Sequence, residues 1–258
     1  MPDVQASGCR IAYAVHGVAG PALLLIHSLG TTRELFAAQR EPLGVHFRVV
    51  EFDLRGHGDS GAPAGDYTLG QLAADALAVL DAAGIARAHV LGLSIGGLIA
   101  LELAARAPAR VDRLIAANTA ARIGSAELWS QRAADVAARG MRHLPELVVP
   151  RWLGEAFRRD HPEVAERYRT LLLDTPPAGY AGCCAALRDA DLREAVASIR
   201  APTLVISGDA DLATPAAEGE WLAKRIPAAR HLVLPAAHLA CVEQSARFSA
   251  AVLEFLGD

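Results

Sequence analysis

The pentapeptide Gly92-Leu93-Ser94-Ile95-Gly96 constrains this chain more than any other stretch. It follows an apolar run, Ala88-His89-Val90-Leu91, and leads into the apolar-rich segment Gly97-Leu98-Ile99-Ala100-Leu101-Glu102-Leu103-Ala104. A Gly-x-Ser-x-Gly set between a strand and a helix is a nucleophile elbow, in which the serine occupies a sharp, strained turn. Side chains larger than glycine on either side would collide with the adjoining strand and helix. The first free amides of the new helix face the same point, and their dipole favours the negative oxygen that forms when an ester carbonyl is attacked. Chance yields roughly 0.07 such pentapeptides in a chain with this Gly and Ser content, so the flanking strand and helix have to carry much of the argument.

Apolar runs bounded by turn residues recur at 11–15, 22–26, 47–52, 88–91, 111–116, 203–207 and 231–234, and these read as strands. Several are apolar on both alternating faces, which suits central parallel strands covered by helices. Helical periodicity fills the gaps. Thr68 is placed to cap a helix running through Leu72, Ala76, Leu77 and Leu80 to a stop near Gly84, and further helices are expected over 95–107, about 215–225 and about 244–256. Strand alternating with helix implies a doubly wound, mostly parallel α/β sheet with right-handed crossovers.

From about Arg122 to Arg193 that rhythm stops. Trp129, Val136, Leu147, Val148, Trp152, Val164, Tyr168, Leu171 and Leu172 recur at helical spacings with no strand among them. Ser125 is placed to cap the first of these helices, and Pro145, Pro150, Pro162 and Pro176-Pro177 divide the rest. The expectation is a core made of residues 1–121 and 194–258, with 122–193 inserted as an all-helical lid over the C-terminal strand ends, where ligands bind in open α/β sheets.

A chain of 258 residues that is 52% hydrophobic and 21% charged suits one elaborated α/β domain. A formal charge of -4 with no Lys/Arg block argues against nucleic acid. Without a run near the roughly 18 apolar residues that span a bilayer, or a basic-then-apolar leader pattern at the start, no membrane association is expected and a cytoplasmic location is. Cys9, Cys183, Cys184 and Cys241 lack C-x-x-C spacing and read as small apolar side chains in a reducing compartment. The nine histidines form no H-x-H or H-E-x-x-H, so no metal is expected.

An elbow serine needs a base, and the base needs a carboxylate to fix its tautomer. The strand 203–207 ends in Gly208-Asp209-Ala210-Asp211-Leu212-Ala213-Thr214-Pro215, where such an acid should project, and spacing leaves Asp209 and Asp211 in competition. The next strand ends in Pro235-Ala236-Ala237-His238-Leu239, which makes His238 the candidate base. For the oxyanion, the backbone amide of Ile95 and one in the loop Ile26-His27-Ser28-Leu29-Gly30 are the candidates, Leu29 foremost. His27 reads as a residue that orders that loop by hydrogen bonding.

These residues resemble the α/β-hydrolase family through His27-Ser28-Leu29-Gly30, Asp53-Leu54-Arg55-Gly56-His57-Gly58-Asp59-Ser60, the elbow, residues 208–215 and His238. The segment 53–60 is read as structural, a tight turn beside the site. Within that family the chain is most similar to the bacterial 3-oxoadipate enol-lactonases. The stretches that carry this are Asn118-Thr119-Ala120-Ala121-Arg122-Ile123-Gly124, Thr175-Pro176-Pro177-Ala178-Gly179-Tyr180-Ala181-Gly182-Cys183-Cys184 and Ala236-Ala237-His238-Leu239. The resemblance favours Asp211 over Asp209; Ile95 departs from it, since those enzymes often carry methionine after the serine. It implies a Ser94, Asp211, His238 triad that opens a small-molecule lactone bearing a carboxylate, without a cofactor, in aromatic-compound catabolism. Trp129 and Arg132, three apart on the first lid helix, would supply an apolar wall and a guanidinium for that carboxylate, with Arg122 as a rival. Other carboxylesterases, carbon-carbon bond hydrolases, haloperoxidase-like proteins and small-molecule receptors share this scaffold. Sequence leaves the oligomeric state open.

Overall fold

The computed structural model describes residues 2–17 and 19–257. Its strands are β1 (Asp3–Ala6), β2 (Cys9–His16), β3 (Ala22–Ile26), β4 (Arg48–Phe52), β5 (Ala88–Leu93), β6 (Val111–Ala117), β7 (Thr203–Gly208) and β8 (Arg230–Leu234). They form one sheet in the order β1-β2-β4-β3-β5-β6-β7-β8. β2 runs antiparallel to β1 and to β4, and the pairings beyond β4 are parallel. Leu23, Leu24, Leu25 and Ile26 of β3, with Val90, Leu91 and Leu93 of β5, are buried on both faces of the sheet. Continuous burial of that kind is what helices on both sides of parallel strands require.

The helices are α1 (Ala37–Gly44), α2 (Leu69–Ala82), α3 (Ile95–Arg106), α4 (Ala126–Arg139), α5 (Pro145–Trp152), α6 (Glu155–Asp160), α7 (Pro162–Asp174), α8 (Pro177–Asp189), α9 (Ala216–Arg225), α10 (Ala240–Glu243) and α11 (Ser245–Gly257). Thr68 starts α2 with a capping box: its hydroxyl accepts from Gln71 N at 3.1 Å, and the Gln71 side chain accepts from Thr68 N at 3.0 Å. The expected mostly parallel α/β sheet, with helices inserted between two late strands, is the observed architecture. Among the described residues no helix is long and apolar enough to cross a membrane.

Among the elements absent from the sequence pattern are two near the start of the chain and the short α10 before α11. Residues 3–6 form β1, joined to β2 through Ser7 and Gly8 at φ 47° and 74°, a two-residue turn of the kind that closes hairpins. Residues 33–36 form a 3₁₀ turn and 37–44 form α1. Their apolar pattern is thin because Gln39 is among the buried residues, its amide donating to Cys241 O at 3.0 Å.

Between β6 and β7 the chain is helical from α4 through α8. Ser125 caps α4, its hydroxyl accepting from Leu128 N at 3.3 Å, and Pro145, Pro162 and Pro177 each occupy the first turn of a helix. Proline is tolerated there because the amide it lacks would have had no intrahelical partner. α4 packs on α8, and Val136, Leu144, Tyr168, Leu172 and Tyr180 form the buried interior of the insertion.

Where β5 meets α3 the backbones touch. A Cβ on Gly92 would lie 1.9 Å from Gly96 O, and a Cβ on Gly96 would lie 2.1 Å from Ile26 O at the end of β3. These contacts are backbone against backbone, so relief requires moving a strand or a helix. Gly96→Ala should therefore destabilise the protein by at least ~2 kcal/mol, as overpacking of a core does, and lower Tm by roughly 5 °C or more. A thermal melt within 1 °C of wild type would contradict this account of the elbow.

Candidate active site

Ser94 sits at φ 61° and ψ -118°, between the last residue of β5 and the first of α3. Its amide donates to Ala117 O at 3.0 Å, and its carbonyl accepts from Thr119 Oγ1 at 2.7 Å. The elbow is thus pinned to the end of β6. Ser94 is 8% exposed and opens on a cavity of about 150 Å³, which His238, Ser28 and Leu29 also line. Ile95 follows as the first residue of α3, with its amide at the positive end of that helix.

His238 Nδ1 meets Asp211 Oδ2 at 2.9 Å. Asp211 leaves β7 on a turn in which its Oδ1 accepts from Ala213 N at 2.8 Å and Thr214 N at 3.0 Å. Oδ2 also accepts from Thr214 Oγ1 at 2.8 Å and Asn118 Nδ2 at 3.0 Å. Burial alone would raise this carboxyl, but His238 and these donors overcome it and hold Asp211 well below the usual carboxylate range. Asp209 turns the other way and accepts from Ala236 N at 3.1 Å. Of the two acids that spacing leaves in competition, Asp211 is the one that touches the imidazole.

Ser94 and His238 face one cavity, and no hydrogen bond between them is present among the described contacts. Such gaps are common without substrate and tighten when it binds.

The loop after β3 is ordered by two buried histidines. His27 Nε2 accepts from Leu54 N at 2.9 Å, and His57 Nε2 accepts from Gly30 N at 2.9 Å. The Nδ1–H of each is thereby left to donate, to Ser28 O at 2.8 Å and to Arg55 O at 3.2 Å. His27 organises its loop as the sequence suggests. The segment 53–60 does more than turn: through His57 it carries Gly30, and Arg55 anchors it to Asp75 by two hydrogen bonds of 2.6 Å.

Trp129 and Arg132 of α4 line the same cavity as Ser94. Trp129 Nε1 donates to Ile123 O at 2.6 Å, which fixes the indole, and Arg132 reaches the Tyr180 hydroxyl at 3.4 Å. Arg122 lies outside this cavity, 3.9 Å from Asp191. A second guanidinium, Arg151 of α5, lines the cavity beside Trp152 and donates to Leu212 O at 2.8 Å. Nothing in the local pattern singles out Arg151, because its approach to the site depends on how α5 docks. Asn118, at φ 44°, was legible only as part of a family-like stretch, yet its side chain touches the acid.

The chain belongs to the alpha/beta hydrolase fold family, whose model matches residues 21–245. Within it the chain is similar to 3-oxoadipate enol-lactonase 2 of Acinetobacter baylyi, 38% identical over 250 residues, which are 96% of this chain and 94% of that one. The solved enol-lactonase of Burkholderia xenovorans LB400 is 41% identical with a TM-score of 0.98, covering 100% of both chains. A thermophilic esterase of Thermogutta terrifontis, solved with malate bound, is 32% identical with a TM-score of 0.94, covering 99% of this chain and 98% of that one.

The two loop histidines make acid stability a test of this geometry. Burial brings His27 down to about 4, against the pull of its Ser28 hydrogen bond. Burial, with the nearby His27, brings His57 down to about 3. Unfolded, both titrate near 6.5, so below that pH the unfolded chain binds more protons and stability falls as pH falls. The slope is up to about 1.4 kcal/mol per pH unit for each ring. The urea midpoint should decline steadily from pH 6 to pH 4, and His57→Gln should flatten that decline. An unchanged pH slope in the variant would count against the buried neutral ring.

Proposed function

We propose that the protein hydrolyses 3-oxoadipate enol-lactone (β-ketoadipate enol-lactone) to 3-oxoadipate, acting in the cytoplasm in the breakdown of aromatic compounds. The observation that carries this reading is one small cavity in which Ser94 and His238 face an indole and a guanidinium, in a chain 38–41% identical to enol-lactonases. At about 150 Å³ the cavity is smaller than the roughly 300–1,000 Å³ of pockets for drug-sized ligands, which suits a compact acid.

In this mechanism Ser94 Oγ attacks the lactone carbonyl while His238 Nε2 takes its proton, with Asp211 stabilising the imidazolium. The amides of Leu29 and Ile95 receive the oxyanion. Collapse of the tetrahedral intermediate breaks the ring C–O bond and expels an enolate oxygen, which the imidazolium protonates. The enol tautomerises to a ketone, so ring opening does not reverse. His238 then activates a water that attacks the acyl-Ser94 ester and releases the acid and the free serine. The helical insertion 122–193 acts as the lid, and Arg132 with Trp129 holds the substrate's free carboxylate. No cofactor enters any step.

Following loss of enol-lactone absorbance tests this directly. Ser94→Ala should lose on the order of 10⁴-fold or more in kcat. Arg132→Ala should raise KM for the lactone roughly tenfold to a hundredfold, the worth of a charge-assisted hydrogen bond, while leaving KM for p-nitrophenyl acetate, which has no carboxylate, unchanged. Wild-type turnover of the acetate but not of the lactone removes the substrate assignment. Cleavage at wild-type rate by Ser94→Ala would falsify the mechanism.

A further inference from the structure

His238 enters the site from the short loop 235–239, and that loop is held by groups from outside it. Leu239 N donates at 2.9 Å to the carbonyl of Trp152, the last residue of α5. Glu243, at the end of α10, accepts from Gly154 N at 2.8 Å. The same carboxylate also interacts with the backbone N–H of Ala237. On the far side, Asn118 Nδ2 donates to Ala237 O at 3.3 Å. The residue preceding His238 is therefore held at its carbonyl by Asn118, with its amide near the Glu243 carboxylate. The break between α5 and α6, beside the cavity-lining Trp152, is bolted to the same loop.

Only an acceptor can serve both amides at once. A carboxylate offers two oxygens and no donor, whereas an amide side chain would turn an NH₂ toward one of the two N–H groups. Nothing in the chemistry assigned to Ser94, Asp211 and His238 calls on Glu243, yet its half-buried side chain ties the region of the base's loop to Gly154, two residues past the cavity-lining Trp152.

We propose that Glu243 is a positioning residue that fixes His238 and the Trp152 wall on one mount, so that the base and the cavity keep a common register. The proposal rests on the reading of Ser94 and His238 as nucleophile and base. Loss of the mount displaces the imidazole from Ser94 without removing either group. A displacement of about 1 Å is enough to cost up to roughly a hundredfold in rate.

The test is the rate of Ser94 labelling by a fluorophosphonate, which needs the activated serine but neither the lactone nor Arg132. Glu243→Gln should label to full amplitude with a rate constant lowered roughly tenfold, and Glu243→Ala by at least as much, as expected for a misplaced base. Loss of folded protein lowers the amplitude and leaves the rate constant of the remainder unchanged, so a merely structural role gives the opposite split. If Glu243→Ala does not fold, the isosteric Glu243→Gln decides alone. Labelling of the folded variants within twofold of the wild-type rate constant overturns the proposal. If the variants label slowly and wild type fails to open the lactone, the substrate assignment falls and the role of Glu243 stands. A wild-type protein that resists labelling overturns both.

Discussion

The strained peptide at Ser94 is the constraint from which the rest of the site follows. A non-glycine residue at positive φ costs of order 1–3 kcal/mol, and here the surroundings hold it in place. Its amide is spent on Ala117 O and its carbonyl on Leu98 N and Thr119 Oγ1, so β6 and α3 both grip the turn. Bare backbone at Gly92 and Gly96 then lets α3 start directly against the end of β3. That contact fixes where the loop after β3 departs, and hence where Leu29 stands relative to Ser94. One sharp turn thereby sets the positions of three chain segments around a single point.

The site also shows a consistent placement of charge. Asp211 is buried and ionised because five donors from the protein converge on it. His27 and His57 are neutral because burial disfavours their charged form, and because each already accepts a backbone N–H at Nε2, where a second proton would set donor against donor. Next to a site proposed to stabilise a transient oxyanion, neutral rings organise the loop without adding a fixed charge that would compete with the amides. The positive charge facing the cavity comes instead from Arg132 and Arg151, both on the inserted helices.

Much of this was legible in the sequence, because the signals were local. Strand burial, the cap at Thr68, the cap at Ser125 and the elbow each depend on neighbours within a few residues. The order of Ser94, an acid and His238 could be read from which loops follow which strands. Spacing alone could not choose between Asp209 and Asp211, two residues apart in one turn, since the choice is made by which way the turn points each carboxylate. β1 escaped because in four residues only Val4 and the small Ala6 turn inward, too short an apolar stripe to register, although Ser7-Gly8 is a hairpin signal. Arg151, Asn118 and Glu243 escaped for a different reason. Their contacts span from 61 to 119 positions in sequence, and no local pattern encodes an encounter of that kind.

Those long contacts divide the labour of the protein. Ser94, Asp211 and His238, with the Leu29 and Ile95 amides proposed to receive the oxyanion, all stand at the C-terminal ends of core strands. Trp129, Arg132, Trp152 and Tyr180, which shape the cavity, belong to α4, α5 and α8. A scaffold arranged in this way can keep its chemistry while its inserted helices change, which fits the likeness of one chain to both lactonases and an esterase. The arrangement carries a cost: walls and machinery built on separate units drift apart unless something ties them. In this chain the tie runs through Trp152 and Gly154 to residues 237–243, and it is made of backbone hydrogen bonds and a single carboxylate. Backbone contacts do not depend on side-chain identity, so the insertion can vary in sequence along its cavity face without losing its registration on the loop that carries His238.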